Sequence, residues 1–368
     1  VLAFGLLFAA IAPVLFAGQK RNLFLILGSV AAYLVICLPL ASAPLGAIAF
    51  GLLVLAVLAG AVQIGRPALM LWFTALFPPL VFFLLWGGSV WVAVAATLGF
   101  VVWAVAFRVL SSYMGVTISA ALGFLVAVFF WGFLDKPLVD GLSSILPWGI
   151  PYVASSEFGG FLLAILIGVT AITFSLPLGI LLALGRQSDL PIVKMICVGF
   201  IEFIRGVPLI TLLFTASLLL GYFLPPGTVF DIILRVMILV TFFAAAYLAE
   251  VIRGGLAALP RGQYEAADAL GLDYWQSQRL IILPQALKIS IPGIVSTFIG
   301  LFKDTTLVSF VALLDPLRGV TNAIRADINW KGIYWEPYIL VGTIFFIICF
   351  GMSRYSMHLE RKLKTDHR

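Results

Sequence analysis

Six ionisable side chains, Glu202, Arg205, Glu250, Arg253, Lys303 and Asp304, sit in or at the edges of long apolar segments. Charge is costly in hydrocarbon, and such residues usually face a bundle interior or a water-filled path. Glu202/Arg205 and Glu250/Arg253 are each spaced i, i+3, which on a helix permits mutual pairing. Two readings fit that spacing: pairs that let charge rest at a membrane edge, and a gate or contact with a sister subunit. Lys303, Asp304, Thr305 and Thr306 fall inside the apolar stretch Ile289–Leu314, which is close to one bilayer crossing in length. A threonine hydroxyl capping a half-helix there would leave free amides to receive a carboxylate, so these four residues form a candidate substrate path, with Glu250 as a further member. A structural Lys–Asp pair or a hydroxyl-satisfied kink fits the same residues.

The elements that must hold these groups are legible in composition. Of 368 residues, 63% are hydrophobic and 10% charged, where a soluble domain would carry about a quarter charged. That excludes a water-soluble globule. Long unbroken apolar runs also exclude an outer-membrane barrel, whose strands alternate in polarity. The net charge of +6 lies in short loops and a tail, so it sets orientation and is no nucleic-acid footprint. Cys37, Cys197 and Cys349 have no metal-ligand spacing, so no metal site is expected.

Apolar segments read as spans at Val1–Ala17, Leu23–Leu40, Leu45–Val62, Ala68–Trp86, Val90–Phe107 and Val116–Leu134. A less apolar stretch, Asp135–Glu157, follows as an extracytoplasmic connecting loop. Five more segments come after it: Phe158–Leu184, Val207–Phe223, Ile232–Val251, the interrupted Ile289–Leu314, and Tyr338–Phe350. The expected fold is all-α and polytopic, with about eleven spans. Its divisions are an N-terminal hydrophobic extension (1–134), the connecting loop (135–157), a core (158–354) and a basic tail (355–368). If spans alternate, Arg186, Lys194, Arg205, Arg253, Arg261, Arg279, Lys288 and the tail share one side with Lys20, Arg21, Arg66 and Arg108. That side is expected to be cytoplasmic. The loops Leu224–Asp231 and Asp315–Glu336 lie opposite, and in the second Lys331 and two arginines are balanced by acids. Opening on Val1, within an apolar run, the sequence implies an upstream segment.

One polar island stands out, Arg261–Pro284, RGQYEAADALGLDYWQSQRLIILP. Gln263–Leu270 holds good helix formers and is followed by Gly271, suited to a left-handed cap. Ala266, Ala267 and Leu270 share one face, with small residues that admit a close partner, while Glu265 and Asp268 stay polar. Asp273 and Gln276 have the spacing of a capping box. The predicted shape is a surface helix, a tight turn and a second helix re-entering the membrane at Pro284: a docking element.

Glu265-Ala266-Ala267, Gly271, Ile281, Leu283 and Pro284 resemble, in spacing throughout, the EAA loop of bacterial ATP-binding-cassette importer permeases. Phe203–Leu209, Ala246–Glu250, Arg253-Gly254-Gly255, Gly262–Glu265 and Lys303–Leu307 point to the polar amino-acid branch, over about Phe158 to Arg354. The hydrophobic extension is similar to the larger permease subunit of general L-amino-acid or glutamate/glutamine/aspartate/asparagine uptake systems. Thr306 stands where many relatives carry serine, which keeps the hydroxyl. The resemblance implies a type I importer core of about five spans, preceded by about six more, in a bacterial inner membrane with a cytoplasmic C-terminus. It implies a non-enzymatic permease subunit of an ATP-driven amino-acid importer. Its partners would be an ATPase dimer that holds ATP and Mg, a second related permease, an extracytoplasmic amino-acid-binding protein and membrane lipid. Tyr264, Glu265, Ala266, Ala267, Asp268, Leu270 and Gly271 would be the ATPase-coupling residues.

The residues agree on two absences. No GxxxxGK[ST] is present, so no P-loop binds nucleotide. No HExxH, GxSxG or paired-carboxylate motif supports an intramembrane enzyme. An ion-coupled secondary amino-acid transporter is the alternative class. It would need inverted repeats and deep coupling carboxylates, and no internal repeat relates the two halves.

Overall fold

Inside a membrane the backbone must satisfy its own polar groups within each segment, so apolar runs of this length become helices. The computed structural model describes residues 2–15, 20–40, 45–64, 68–219, 222, 231–330, 332–333 and 335–364. Most of the loop before Asp231, together with Lys331, Arg66, Val1 and the tail's final residues, lies outside them. Each expected apolar segment is mainly helical where described, with non-helical residues at Phe158-Gly159, Val207-Pro208 and Ala312–Leu314. Among the described residues, eight helices are long and apolar enough to cross a membrane, or nine if one bent pair counts as a span, against about eleven spans expected for the whole chain. The chain divides into two compact units, Val1–Ala154 and Ser155–Arg368.

In the first unit, α1 (Leu2–Leu15), α2 (Lys20–Leu40), α3 (Leu45–Gln63) and α4 (Ala68–Trp86) pack around the fully buried Leu6 and Leu34. Helices α5 (Val90–Leu110) and α6 (Val116–Phe129) form a second group. Trp131 fits the notch left by Gly99, and its indole N–H donates to Ala96 O at 3.2 Å. The expected connecting loop is partly helical: α7 (Asp135–Ile145) continues α6 through a π turn at Phe130–Leu134. The wider turn bonds Asp135 N–H to Phe130 O, which eases the entry of Pro137. Strands β1 (Gly88–Ser89) and β2 (Gly149–Ile150) pair antiparallel.

The second unit is built on α8 (Gly160–Arg186) and α11 (Ile232–Ala257), between which come α9 (Pro191–Gly206) and α10 (Leu209–Phe214). The chain bends by 103° between α9 and α10. Pro208 supplies the cause, since it holds Val207 extended (φ −108, ψ 131) and lacks an amide hydrogen. The bend falls at the start of the expected span Val207–Phe223. After α11 follow α12 (Arg261–Ala269), α13 (Tyr274–Ser277), α14 (Leu283–Asp304), α15 (Pro316–Ala326) and α16 (Glu336–Lys364).

Small residues set the spacing of α11 against its neighbours. Gly179 of α8 faces Leu248 and the Ala245 carbonyl. A Cβ on Gly255 would lie 2.0 Å from Ser290 Oγ and 2.6 Å from the Ala286 carbonyl of α14. The hydroxyl can rotate away, but the carbonyl cannot. Gly255→Ala is therefore expected to destabilise the protein by about 1–3 kcal/mol through overpacking. That outweighs the ~0.5–1 kcal/mol by which alanine favours a helix over glycine. A fall in thermal midpoint in detergent, not relieved by adding Ser290→Ala, checks this.

Candidate functional site

The polar island folds as predicted. Helix α12 ends in a Schellman motif: Gly271 N–H donates to Asp268 O at 2.9 Å and Leu272 N–H to Ala267 O at 3.3 Å. Gly271 takes φ +68 to close it. Asp273 and Gln276 form the expected capping box, with Gln276 N–H donating to Asp273 Oδ1 at 2.8 Å and Asp273 N–H to Gln276 Oε1 at 3.3 Å. Helix α13 then runs through a π turn, Gln278–Ile282, straight into α14. Leu283 N–H bonds to Gln278 O there, a widening that admits Pro284. Gln285 ties the loop to the helix: its side-chain amide donates to Gln263 Oε1 of α12 at 2.8 Å and to Ile281 O at 3.1 Å.

The faces of α12 differ from the expectation. Ala267 is fully buried against its own unit, whereas Glu265, Ala266, Asp268 and Leu270 are exposed. The three apolar residues therefore do not form one partner face, because Ala267 seats the helix on the body. Tyr264 does the same, packing against the cluster of Leu259, Ile282 and Ala286, and burial pushes its phenol above the ordinary 10.0. The outward surface is completed by Tyr274 and Trp275, 53% and 65% exposed, which the sequence motif does not include. Two adjacent aromatics in a charged loop are the signal that marks them.

The ion pairs are also rearranged. Glu202 does not pair with Arg205. Arg186, at the end of α8, donates through Nη1 to Glu202 Oε1 at 3.0 Å and to Glu250 Oε1 at 2.5 Å. Arg253 donates to Glu250 Oε2 at 3.0 Å, so the second predicted pair does form. Arg205 Nη1 lies 3.8 Å from Glu250 Oε2, with its guanidinium over the Tyr247 ring at 5.6 Å. Glu250 is thus the hub of a network drawn from α8, α9 and α11. Its side chain is 17% exposed, against 54% for Glu202. In the sequence Arg186 carries only an orientation signal, since pairing across helices leaves no spacing to detect.

The Lys303–Thr306 group is placed differently too. Helix α14 starts at Leu283, so Lys303 and Asp304 end a full helix instead of breaking one at its middle. A 3₁₀ turn, Thr305–Val311, follows. The Thr305 and Thr306 hydroxyls donate backwards, to Phe302 O at 2.7 Å and Lys303 O at 2.9 Å, so neither caps a half-helix. Thr305 is buried, Lys303 is exposed, and no ion pair joins Lys303 to Asp304 among the described residues. Of the four, Asp304 alone lines a cavity of ≈ 270 Å³ with Phe243, Tyr247, Thr297 and Gly300. Tyr247 connects this cavity to the ion network, and Glu250 belongs to that network, not to the Lys303–Thr306 group.

Residues 175–365, from α8 through α16, match the family of binding-protein-dependent transport system inner membrane components. The chain belongs to this family. It is a multi-pass membrane permease component, a part of a transporter and not an enzyme. The glutamate/glutamine/aspartate/asparagine transport system permease protein BztC of Rhodobacter capsulatus is 68% identical over 302 residues, covering 82% of this chain and 70% of that protein. The inner membrane amino-acid ABC transporter permease protein YhdY of Escherichia coli is 51% identical over 213 residues, covering 58% of each. The glutamate/aspartate import permease protein GltK of E. coli is 31% identical over 230 residues, covering 60% of this permease and 96% of GltK. The α-helical permease core expected from the sequence is thus present.

Proposed function

We propose that this permease carries amino acids, of the acidic and amide class named for BztC, inward across a bacterial inner membrane at the expense of ATP bound elsewhere. A separate ATPase dimer, holding ATP and Mg, docks on Glu265, Ala266, Asp268, Leu270 and Gly271 together with Tyr274 and Trp275. The observation that carries this reading is the loop itself, a rigidly capped two-helix element with its apolar tips exposed and its second helix continuous with α14. Closure of the ATPases would move α12. The Gln263–Gln285 bond and the unbroken run from Tyr274 to Asp304 would pass that motion to the Asp304 cavity, which gives alternating access. An extracytoplasmic binding protein delivers the amino acid, a second, related permease completes the pathway, and the C-terminus is cytoplasmic.

Within the cavity, the Asp304 carboxylate is suited to a substrate ammonium group, with the Tyr247 and Phe243 rings beside it. Asp304→Asn is expected to lower uptake by about tenfold or more, the worth of one charge-assisted hydrogen bond in a confined site. Thr306→Val removes only a back-bonded hydroxyl and should cost far less. Uptake and substrate-stimulated ATPase in proteoliposomes holding the complete complex measure both. Uptake driven by an ion gradient without ATP and binding protein would instead establish the secondary-transporter class.

A further inference from the structure

Helices α14 and α16 run antiparallel, since Phe302 meets Phe345 toward one end while Lys288 shares a groove with Tyr355 and Leu359 toward the other. The groove has a volume of ≈ 490 Å³. Its floor is apolar, formed by Leu287, Ile291, Val295 and Phe298 of α14 and Met352 and Leu359 of α16. Polarity is confined to one end. Lys288 is exposed there and forms no ion pair among the described residues. Tyr355, 49% exposed, lines the same groove. The last turns of α16 add the exposed Arg354, Arg361 and Lys362 around one carboxylate, Glu360, which accepts from Ser356.

We propose that this groove is a binding site for one anionic phospholipid of the leaflet on the Lys288 side. Its phosphate would lie on the Lys288 ammonium and the Tyr355 hydroxyl, and one acyl chain along the α14–α16 floor. The groove is complementary to such a lipid along its length. An uncompensated cation at the interface above an apolar channel matches an amphiphile of opposite charge, and basic pockets between membrane helices hold anionic headgroups in this way. The interfacial tyrosine suits the same depth. Because the groove begins at Pro284, immediately after the π turn, a bound lipid would brace the first turns of α14. Lipid occupancy itself does not depend on the transport reading.

The test is native mass spectrometry of the full chain, purified with its co-expressed partners and exposed to phosphatidylglycerol or phosphatidylcholine. Wild type is expected to retain one phosphatidylglycerol per chain after collisional activation. Lys288→Gln should lower that occupancy on the order of fivefold, the usual worth of one cation at a membrane surface, and Lys288→Arg should restore it. A photo-cross-linker at Val295 should label lipid. Equal retention by Lys288→Gln, equal retention of phosphatidylcholine, or a cross-link from Val295 to protein would each overturn the site.

Discussion

Gly271→Val is expected to abolish coupled uptake while leaving the helical membrane fold in place. The residue adopts φ +68, where a β-branched side chain is strongly disfavoured. A Cβ there would meet no atom within 4 Å, so the first side-chain carbon is sterically free. The penalty is conformational, about 1–3 kcal/mol, and falls on the turn that joins the short α12 to the start of α13. Helix α12, nine residues long, is too short to persist alone, whereas α13 is continuous with α14. Losing the bonds from Gly271 to Asp268 and from Leu272 to Ala267 therefore releases α12, and separates Leu270 from Tyr274 and Trp275, which stay on the run into α14. Asparagine tolerates the left-handed region, so Gly271→Asn should recover most of the activity, whereas a side chain that merely blocked docking would not. Glu265→Lys reverses an exposed charge without touching the turn and should weaken ATPase retention alone. Co-purification of the ATPase, substrate-stimulated hydrolysis and uptake, measured on the four proteins, separate these cases. A valine variant that couples like wild type would remove the turn from the mechanism.

Features that depend on neighbours along the chain are legible in the residues themselves. The Gly271 cap, the Asp273–Gln276 box and the bend at Pro208 each follow from local backbone chemistry, and each is present. Features that depend on packing are not legible in this way. Glu202 and Arg205 have the spacing of a pair, yet Glu202 turns to Arg186 of another helix and Arg205 to Glu250. Ala266 and Ala267 look equivalent along the chain, but only the second meets the body of the protein. Thr305 and Thr306 can cap a helix or bond backwards, and the position at which α14 begins decides between the two. That start depends on the π turn that admits Pro284, which apolar periodicity does not reveal. Asp135–Ile145 has the charges and the proline of a loop, although the same kind of turn carries a helix through them.

Glu250→Gln is expected to have the second largest effect. Arg186, Arg205 and Arg253 reach Glu250 from three helices, and Glu202 can compensate only the first of them. Glutamine keeps the shape and one acceptor oxygen but leaves the guanidinium groups of Arg186, Arg205 and the more exposed Arg253 close together with one carboxylate between them. Breaking a fully buried pair in this one-sided way costs about 3–5 kcal/mol. With Glu250 17% exposed, solvent screening reduces the expectation to about 1–3 kcal/mol. Glu202 is 54% exposed and has a single ion-pair partner among the described residues, so Glu202→Gln should cost about 1 kcal/mol or less. The consequence for transport follows from geometry. Repulsion would spread the ends of α8, α9 and α11, and Tyr247, held under Arg205, would shift at the wall of the Asp304 cavity. The Glu250→Gln complex should therefore show a lower thermal midpoint and ATP hydrolysis that no longer responds to substrate. In a double-mutant cycle, Arg186→Gln and Glu250→Gln should couple by well over the ~0.5 kcal/mol expected of independent sites. Additive effects, or equal losses from Glu202→Gln and Glu250→Gln, would show that Glu250 is one surface charge among several and not the hub that ties these three helices to the cavity.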